Sequence, residues 1–199
     1  MAGQTKPALR RRYTRVMPAL HAAHVPVLLV TGPVSVGKTS VAAELSEFLD
    51  KAGVAHAFID VDSLRWCYPR PAGDPFRVQI ATQNLAAIWT NFAEAGADHL
   101  VLADVIESRA ELSRIRTAVP GAEVWVVRLR ATVETLATRV YRRESILARD
   151  RHVQRATELA ARLDAHPVEG ILVETDGRTI PAIANEILNR SGWLAPVYG

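Results

Sequence analysis

Cysteine is nearly missing from this chain: Cys67 stands alone in 199 residues, which excludes an internal disulfide and any cysteine-rich zinc site. Lysine is scarce too, limited to Lys6, Lys38 and Lys51, so arginine carries almost all of the basic charge. The six histidines show no metal-ligand spacing. No apolar run reaches the length that crosses a bilayer, and no signal-peptide apolar segment precedes the first predicted strand, so a cytoplasmic location is expected. Repeats and low-complexity segments are also absent. The net charge of +3 is mild, and apart from Arg10-Arg11-Arg12 and Arg15 the basic residues are spread among acidic ones or gathered near Arg139 to Arg155. Neither a nucleic acid nor a membrane is expected as a partner. What is present is the balance of a soluble globular chain, 49% hydrophobic and 23% charged, long enough for one domain with a sizeable core.

One stretch carries more information than any other. Gly32-Pro33-Val34-Ser35-Val36-Gly37-Lys38-Thr39 fits G-x-x-x-x-G-K-[ST], the phosphate-binding P-loop. A β-branched apolar segment, Val25 to Thr31, precedes it and reads as a buried strand. Ser40 to Leu49 follows with apolar residues at helical spacing. Strand, glycine loop and helix are the context in which backbone N–H groups and a helix N-terminus surround a phosphate chain. Gly32, Val34, Ser35, Val36, Gly37, Lys38, Thr39 and Ser40 form the expected nucleotide-binding set. Lys38 would reach the β- and γ-phosphates, and the Thr39 hydroxyl would ligate Mg²⁺.

Further strands are predicted at 54–60, 100–106, 124–129 and 170–174. Helices are predicted at 76–95, 109–117, 132–142, after an arginine-rich segment at 143–155, and at 180–188. Residues 1–24 read as an N-terminal extension and 25–199 as the catalytic domain. Five strands alternating with helices predict a parallel sheet covered on both faces. Trp89 and Trp125 lie in apolar periodic segments and are expected in the core.

In such sheets ligands lie beyond the carboxyl ends of the strands. Asp60 and Asp62 end the second strand, where period-2 alternation would put them on one face. One could hold the hydration shell of a metal while the other accepts a proton from an attacking hydroxyl; the alternative is a pair of solvated loop acids or helix caps. Asp104 closes the apolar run Leu100 to Ala103, a Walker B pattern in which an acid binds Mg²⁺ through water. Glu107 and Arg109 follow in the same loop and could face an acceptor. Arg139 and Arg143 lie one helical turn apart, with Arg142, Arg149 and Arg151 nearby. They suit either a lid whose guanidiniums stabilise a phosphoryl group in flight or a solvated basic helix. Trp66 and Tyr68 could wall a substrate pocket or cover the core.

P-loop, D-x-D after the second strand and R-x-x-x-R opening a lid together resemble the nucleoside-monophosphate-kinase-like group of P-loop kinases. That group includes adenylate, shikimate, gluconate and adenylylsulfate kinases and the chloramphenicol phosphotransferases. The resemblance spans about Val25 to Leu188. It implies a three-layer α/β P-loop fold with a five-stranded parallel sheet in the order 2-3-1-4-5, an arginine-rich lid near 143–155, ATP as donor and a small-molecule acceptor. By the same resemblance Asp60 is the metal-side acid and Asp62 the acceptor-side acid. Arg139 is then the arginine stacking on adenine and Arg143 the lid arginine on the transferred phosphate. Asp60 to Arg65 is similar to the D-G-D-N-V-R segment of adenylylsulfate kinases, which implies a substrate role for Arg65. Val61 and Ser63 depart from that segment, and Asp104-Val105-Ile106-Glu107 stands where shikimate kinases carry a glycine triplet.

The expected activity is an ATP-dependent transfer of a phosphoryl group to a hydroxyl of a small polar metabolite or antibiotic, with Lys38, Asp62 and Arg143 as the catalytic residues. A nucleotide-hydrolysing switch with a macromolecular partner is the alternative. Acceptor identity and homodimerisation stay open.

Overall fold

The computed structural model describes residues 24–143 and 146–193, without the side chains of 143–148. Its central strand, β1 (Val25–Thr31), shows how the layers arise. Alternate residues of a strand point to opposite faces. Val25, Val27 and Leu29 enter one apolar cluster, while Leu28 and Val30 enter another. Both faces of β1 are therefore buried, and the strand reads as a continuous apolar run rather than an alternating one.

The remaining elements follow in order: α1 (Lys38–Lys51), β2 (His56–Asp60), a 3-10 turn (Val61–Arg65), α2 (Val78–Glu94), β3 (His99–Ala103), a second 3-10 turn (Arg109–Glu111), α3 (Leu112–Ala118), β4 (Ala122–Arg130), α4 (Val133–Arg143), α5 (Ile146–Ala165), β5 (Ile171–Glu174) and α6 (Ile180–Ser191). The five strands are parallel in the order β2-β3-β1-β4-β5, as the resemblance implied. Ala81, Leu85 and Trp89 of α2, Leu112 and Ile115 of α3, and Leu159 and Leu163 of α5 cover one face. Val41, Leu45 and Leu49 of α1, Leu136 of α4, and Ile183 and Ile187 of α6 cover the other. The arginine-rich segment expected to precede a helix is itself helical from Ile146 onward.

Two features locate the helices that flank the carboxyl edge of the sheet. Asp74 is buried, and its carboxylate accepts from the N–H groups of Val78, Gln79 and Ile80. A charged acceptor at the positive end of a helix starts α2 firmly after the loop that precedes it. Arg128 of β4 is 2% exposed. It donates to the carbonyl of Leu163 at 2.7 Å and pairs with Asp164, so the end of α5 is fastened to the sheet.

Trp125 departs from expectation: it is 44% exposed. Pairing of β4 with β5 begins only at Val127, opposite Ile171. The amino half of β4 thus lacks the neighbour that would have covered the ring. Trp89 is buried as expected.

Leu28 is fully buried between Val101 and Trp125 in register. Leu28→Ala is expected to lower stability by about 2–5 kcal/mol, read from the urea midpoint with an unchanged denaturant slope.

Candidate active site

The loop between β1 and α1 has a backbone that only certain residues accept. Gly32 has φ of +143°, and a Cβ there would lie 2.5 Å from the carbonyl oxygen of Leu129 and 3.0 Å from Cγ1 of Val36. Glycine is required both by the left-handed backbone and by the close approach to β4. Gly37 has φ of +110° and stands directly before α1. Ser35 takes φ of +63° without being glycine, a local cost of the kind that collects at ligand-binding loops. Val36 is buried beneath the loop, Val34 is packed against the same cluster, and Ser40 faces solvent.

Polar groups converge on this loop. Lys38 folds back so that Nζ donates to the carbonyls of Gly32 at 3.2 Å and Pro33 at 3.0 Å. Thr39 Oγ1 donates to Asp60 Oδ2 at 2.7 Å, and Asp60 Oδ1 accepts from the Asp62 N–H at 3.0 Å. Asp60 ends β2, but the chain turns into the 3-10 helix at Val61. The strand alternation expected to align Asp60 with Asp62 therefore stops at Asp60, and the turn, not the pleat, brings the second acid round. Asp62 is exposed.

On the far side of the loop, Arg139 of α4 donates to the carbonyl of Val36 at 2.8 Å, and to Thr175 through both its hydroxyl (3.1 Å) and its carbonyl (3.2 Å). One guanidinium thus links the P-loop to the turn after β5. Asp176 in that turn accepts from the N–H and hydroxyl of Thr132. The Thr135 hydroxyl, followed by the Thr132 groups and Arg139, holds its carboxyl below the ordinary 3.8. An open hollow of about 250 Å³ lies alongside, lined by Glu134, Thr135, Thr138, Arg139 and Arg142. Arg143 is the last residue of α4, and its side chain lies outside the described residues.

The third part of the edge is built on the loop after β3. Asp104 is 1% exposed. Its Oδ1 accepts from Arg65 Nη2 and from the Val105 N–H, and its Oδ2 from Arg114 Nη2, each at 2.8 Å. Burial raises its pKa, against the pull of Arg114, Arg65 and the Val105 N–H. Asp104 was expected to bind Mg²⁺ through water. In this arrangement each oxygen accepts from a guanidinium, so the carboxylate anchors Arg65 and Arg114. Glu107, expected to face an acceptor, is ion-paired with Arg155 and Arg162 of α5. Arg109 is exposed on the neighbouring turn. Arg65 lies with Nη1 3.7 Å from Asp62 Oδ1. Under this cluster is a cavity of about 10 Å³, room for a single water, bounded by Arg65, Asp104, Arg114 and the apolar face of α2. Sequence reasoning missed Arg114. Its one signal was a basic residue on a short helix directly following an acidic strand end.

A triphosphate suits this loop on a structural ground. Among the described residues Ser35 Oγ is buried with no hydrogen-bond partner, and a buried polar atom without a partner costs stability unless a ligand meets it. The hydroxyl and carboxylate oxygens of Thr39 and Asp60 are hard donors of the kind a magnesium ion takes.

No protein-family model matches the chain, and no curated protein sequence matches it. Solved structures do. Shikimate kinase from Acinetobacter baumannii in complex with shikimate is 21% identical with a TM-score of 0.60, over 86% of this chain and 95% of that one. A gluconokinase from Sinorhizobium meliloti 1021 is 22% identical with a TM-score of 0.58, over 85% and 93%. The Mycobacterium tuberculosis APS kinase CysC in complex with AMPPNP and APS is 20% identical with a TM-score of 0.55, over 85% and 98%. The fold is that of the P-loop small-molecule kinases. At these identities the likeness is one of architecture; in this chain the three clusters above all stand at the carboxyl edge of the sheet. Among the described residues no helix is long and apolar enough to cross a membrane.

Two outcomes follow from this geometry. Gly32→Ala is expected to lower the thermal midpoint, because the colliding atom is backbone and cannot rotate away. Asp176→Asn is expected to lower the thermal midpoint at pH 7. A carboxyl depressed in the folded state stabilises above its unfolded value of 3.8 and loses that contribution as pH falls through the folded value. The gap between the two proteins should therefore close below that pH.

Proposed function

We propose that this protein is an ATP-dependent phosphotransferase that moves the γ-phosphoryl group to a hydroxyl of a small polar metabolite or antibiotic. The observation that carries this reading is the hydrogen-bonded run from the P-loop threonine to two acids, Thr39 to Asp60 to the Asp62 backbone. It sets a phosphate cradle beside an exposed carboxylate. The shared fold with a gluconokinase, a shikimate kinase and an APS kinase supports it, as does the AMPPNP bound to the last of these.

In this reading the N–H groups of the loop and the start of α1 bind the phosphates. Lys38 exchanges its contacts with the Gly32 and Pro33 carbonyls for phosphate oxygens. Thr39 and Asp60 would hold Mg²⁺, which would supply charge neutralisation for the nucleotide's phosphates. Arg139, fixed at both edges, offers a flat face to the adenine. Asp62 accepts the acceptor's hydroxyl proton as the new P–O bond forms and the bond to the bridging β-phosphate oxygen breaks, leaving ADP. Arg65, anchored on Asp104, orients Asp62. We assign Arg143 and the segment near 143–155 to a lid that excludes water and meets the transferring group. Residues 25–199 are then the kinase domain and 1–24 an extension.

The test is a panel of metabolites and antibiotics incubated with ATP and read by mass shift. Lys38→Ala is expected to remove transfer altogether. Asp62→Asn should keep ATP binding while transfer falls by about 10²–10⁴-fold; full transfer by Asp62→Asn would refute its role. Hydrolysis that a macromolecule stimulates, with no phosphorylated small product, would favour a conformational switch instead.

A further inference from the structure

Alternating guanidiniums and carboxylates form a line that ends at Asp62. Arg114 Nη2 donates to Asp104 Oδ2 at 2.8 Å, and Arg65 Nη2 donates to Asp104 Oδ1 at 2.8 Å. Arg65 Nη1 then stands 3.7 Å from Asp62 Oδ1. Along this line Asp104 is buried, Arg65 half-buried and Asp62 exposed. Arg114 is fixed from its own side: it donates to the carbonyl of Val105 at 3.1 Å and lies 3.6 Å from Glu111. Glu111 in turn accepts from the N–H groups of Glu107 and Ser108. The inner end of the line is thus held by the fold, and its outer end faces solvent.

Arg65 is bound to Asp104 less fully than its chemistry allows. A guanidinium and a carboxylate pair most strongly as two forks, with two parallel N–H···O bonds. Arg65 gives Asp104 one such bond. Its Nε is buried and has no hydrogen-bond partner among the described residues, and a buried donor left without an acceptor costs stability. The second prong is missing because its acceptor is taken: Oδ2 receives Arg114, while Oδ1 also receives the Val105 N–H. Without Arg114, a second nitrogen of Arg65 would close on Oδ2, either Nε side-on or Nη1 end-on. That closure draws the guanidinium inward and away from Asp62.

We propose that Arg114 is a positioning residue: by filling Oδ2 of Asp104 it denies Arg65 a two-pronged pair and keeps the Arg65 guanidinium beside Asp62. Arg114 acts only through Asp104 and Arg65. The orphaned Nε of Arg65 is the local cost of this arrangement. The role in transfer rests on the phosphotransferase reading, in which Asp62 takes the acceptor's proton.

The test compares the full chain with Arg114→Met, Arg114→Lys, Arg65→Lys and the double variant of Arg114→Met with Arg65→Lys. In a crystal structure of Arg114→Met, a second Arg65 nitrogen is expected within about 3 Å of Asp104 Oδ2, with the gap to Asp62 Oδ1 wider than 3.7 Å. With an acceptor that the mass-shift panel returns, Arg114→Met should lower kcat by about 10- to 100-fold while the calorimetric affinity for ATP holds. Arg114→Lys keeps a charged donor for Oδ2 and should restore most of kcat. A lysine at position 65 has no fork, so Arg65→Lys keeps the buried pair, loses Asp62 and should lower kcat to the same degree. The double variant should then be no slower than Arg65→Lys alone, because both substitutions undo one arrangement. Losses that add, and that follow the thermal midpoint, mark a merely structural Arg114 and overturn the inference. An unmoved Arg65 in Arg114→Met, or full kcat in Arg65→Lys, overturns it as well, and each leaves the phosphotransferase reading intact. If Arg114→Met does not fold, Arg114→Gln takes its place, with a smaller fall in kcat expected and an unchanged kcat refuting the role. No phosphorylated product from the unmodified chain overturns the phosphotransferase reading, and the role of Arg114 in transfer with it.

Discussion

The close approach of Gly32 to the backbone of β4 is the constraint on which the P-loop of this protein depends. A Cβ at that position would collide with the Leu129 carbonyl at 2.5 Å, so the chain leaves β1 along a path open only to glycine. Because β1 is the middle strand, with β3 on one side and β4 on the other, the loop emerges at the centre of the edge. Val36 is buried beneath it, Ser35 adopts a left-handed backbone, and α1 begins immediately after Gly37. Thr39 then meets Asp60, the last residue of a strand two places away in the sheet.

A second organising interaction holds the loop after β3. One buried carboxylate, Asp104, gathers Arg65 from the turn after β2 and Arg114 from α3. Three positions further on, Glu107 gathers Arg155 and Arg162 from α5. Removing such a carboxylate would leave guanidiniums unpaired, which costs more than the pairs contribute in a simple sum. The same loop therefore sets where Asp62 stands and where the helix that continues from the proposed lid is held.

Arg139 performs the equivalent task on the opposite flank, tying Val36 of the P-loop to Thr175. Guanidiniums thus tie the P-loop to the turn after β5, and the loop after β3 to α3, α5 and the turn after β2. This gives a use to a sequence in which arginine carries almost all of the basic charge.

The sequence by itself determined the strand–loop–helix at Val25 to Lys51, the alternation of strands and helices, and the glycine positions of the P-loop. These depend on short-range rules: the two-residue period of a strand, the 3.6-residue period of a helix, and the backbone freedom of glycine. The same rules led astray where the chain changed conformation, as at Asp62, or where a neighbouring strand stopped short, as at Trp125. Only the tertiary structure decided the partners of Asp104 and Glu107, because Arg65 lies 39 residues from Asp104, and Arg155 lies 48 residues from Glu107. It also decided that Trp66, Tyr68 and Phe76 remain exposed. A carboxylate after a strand reads alike whether it will meet a metal, a substrate or an arginine. What it meets depends on which distant side chains the order of the strands brings to the same edge.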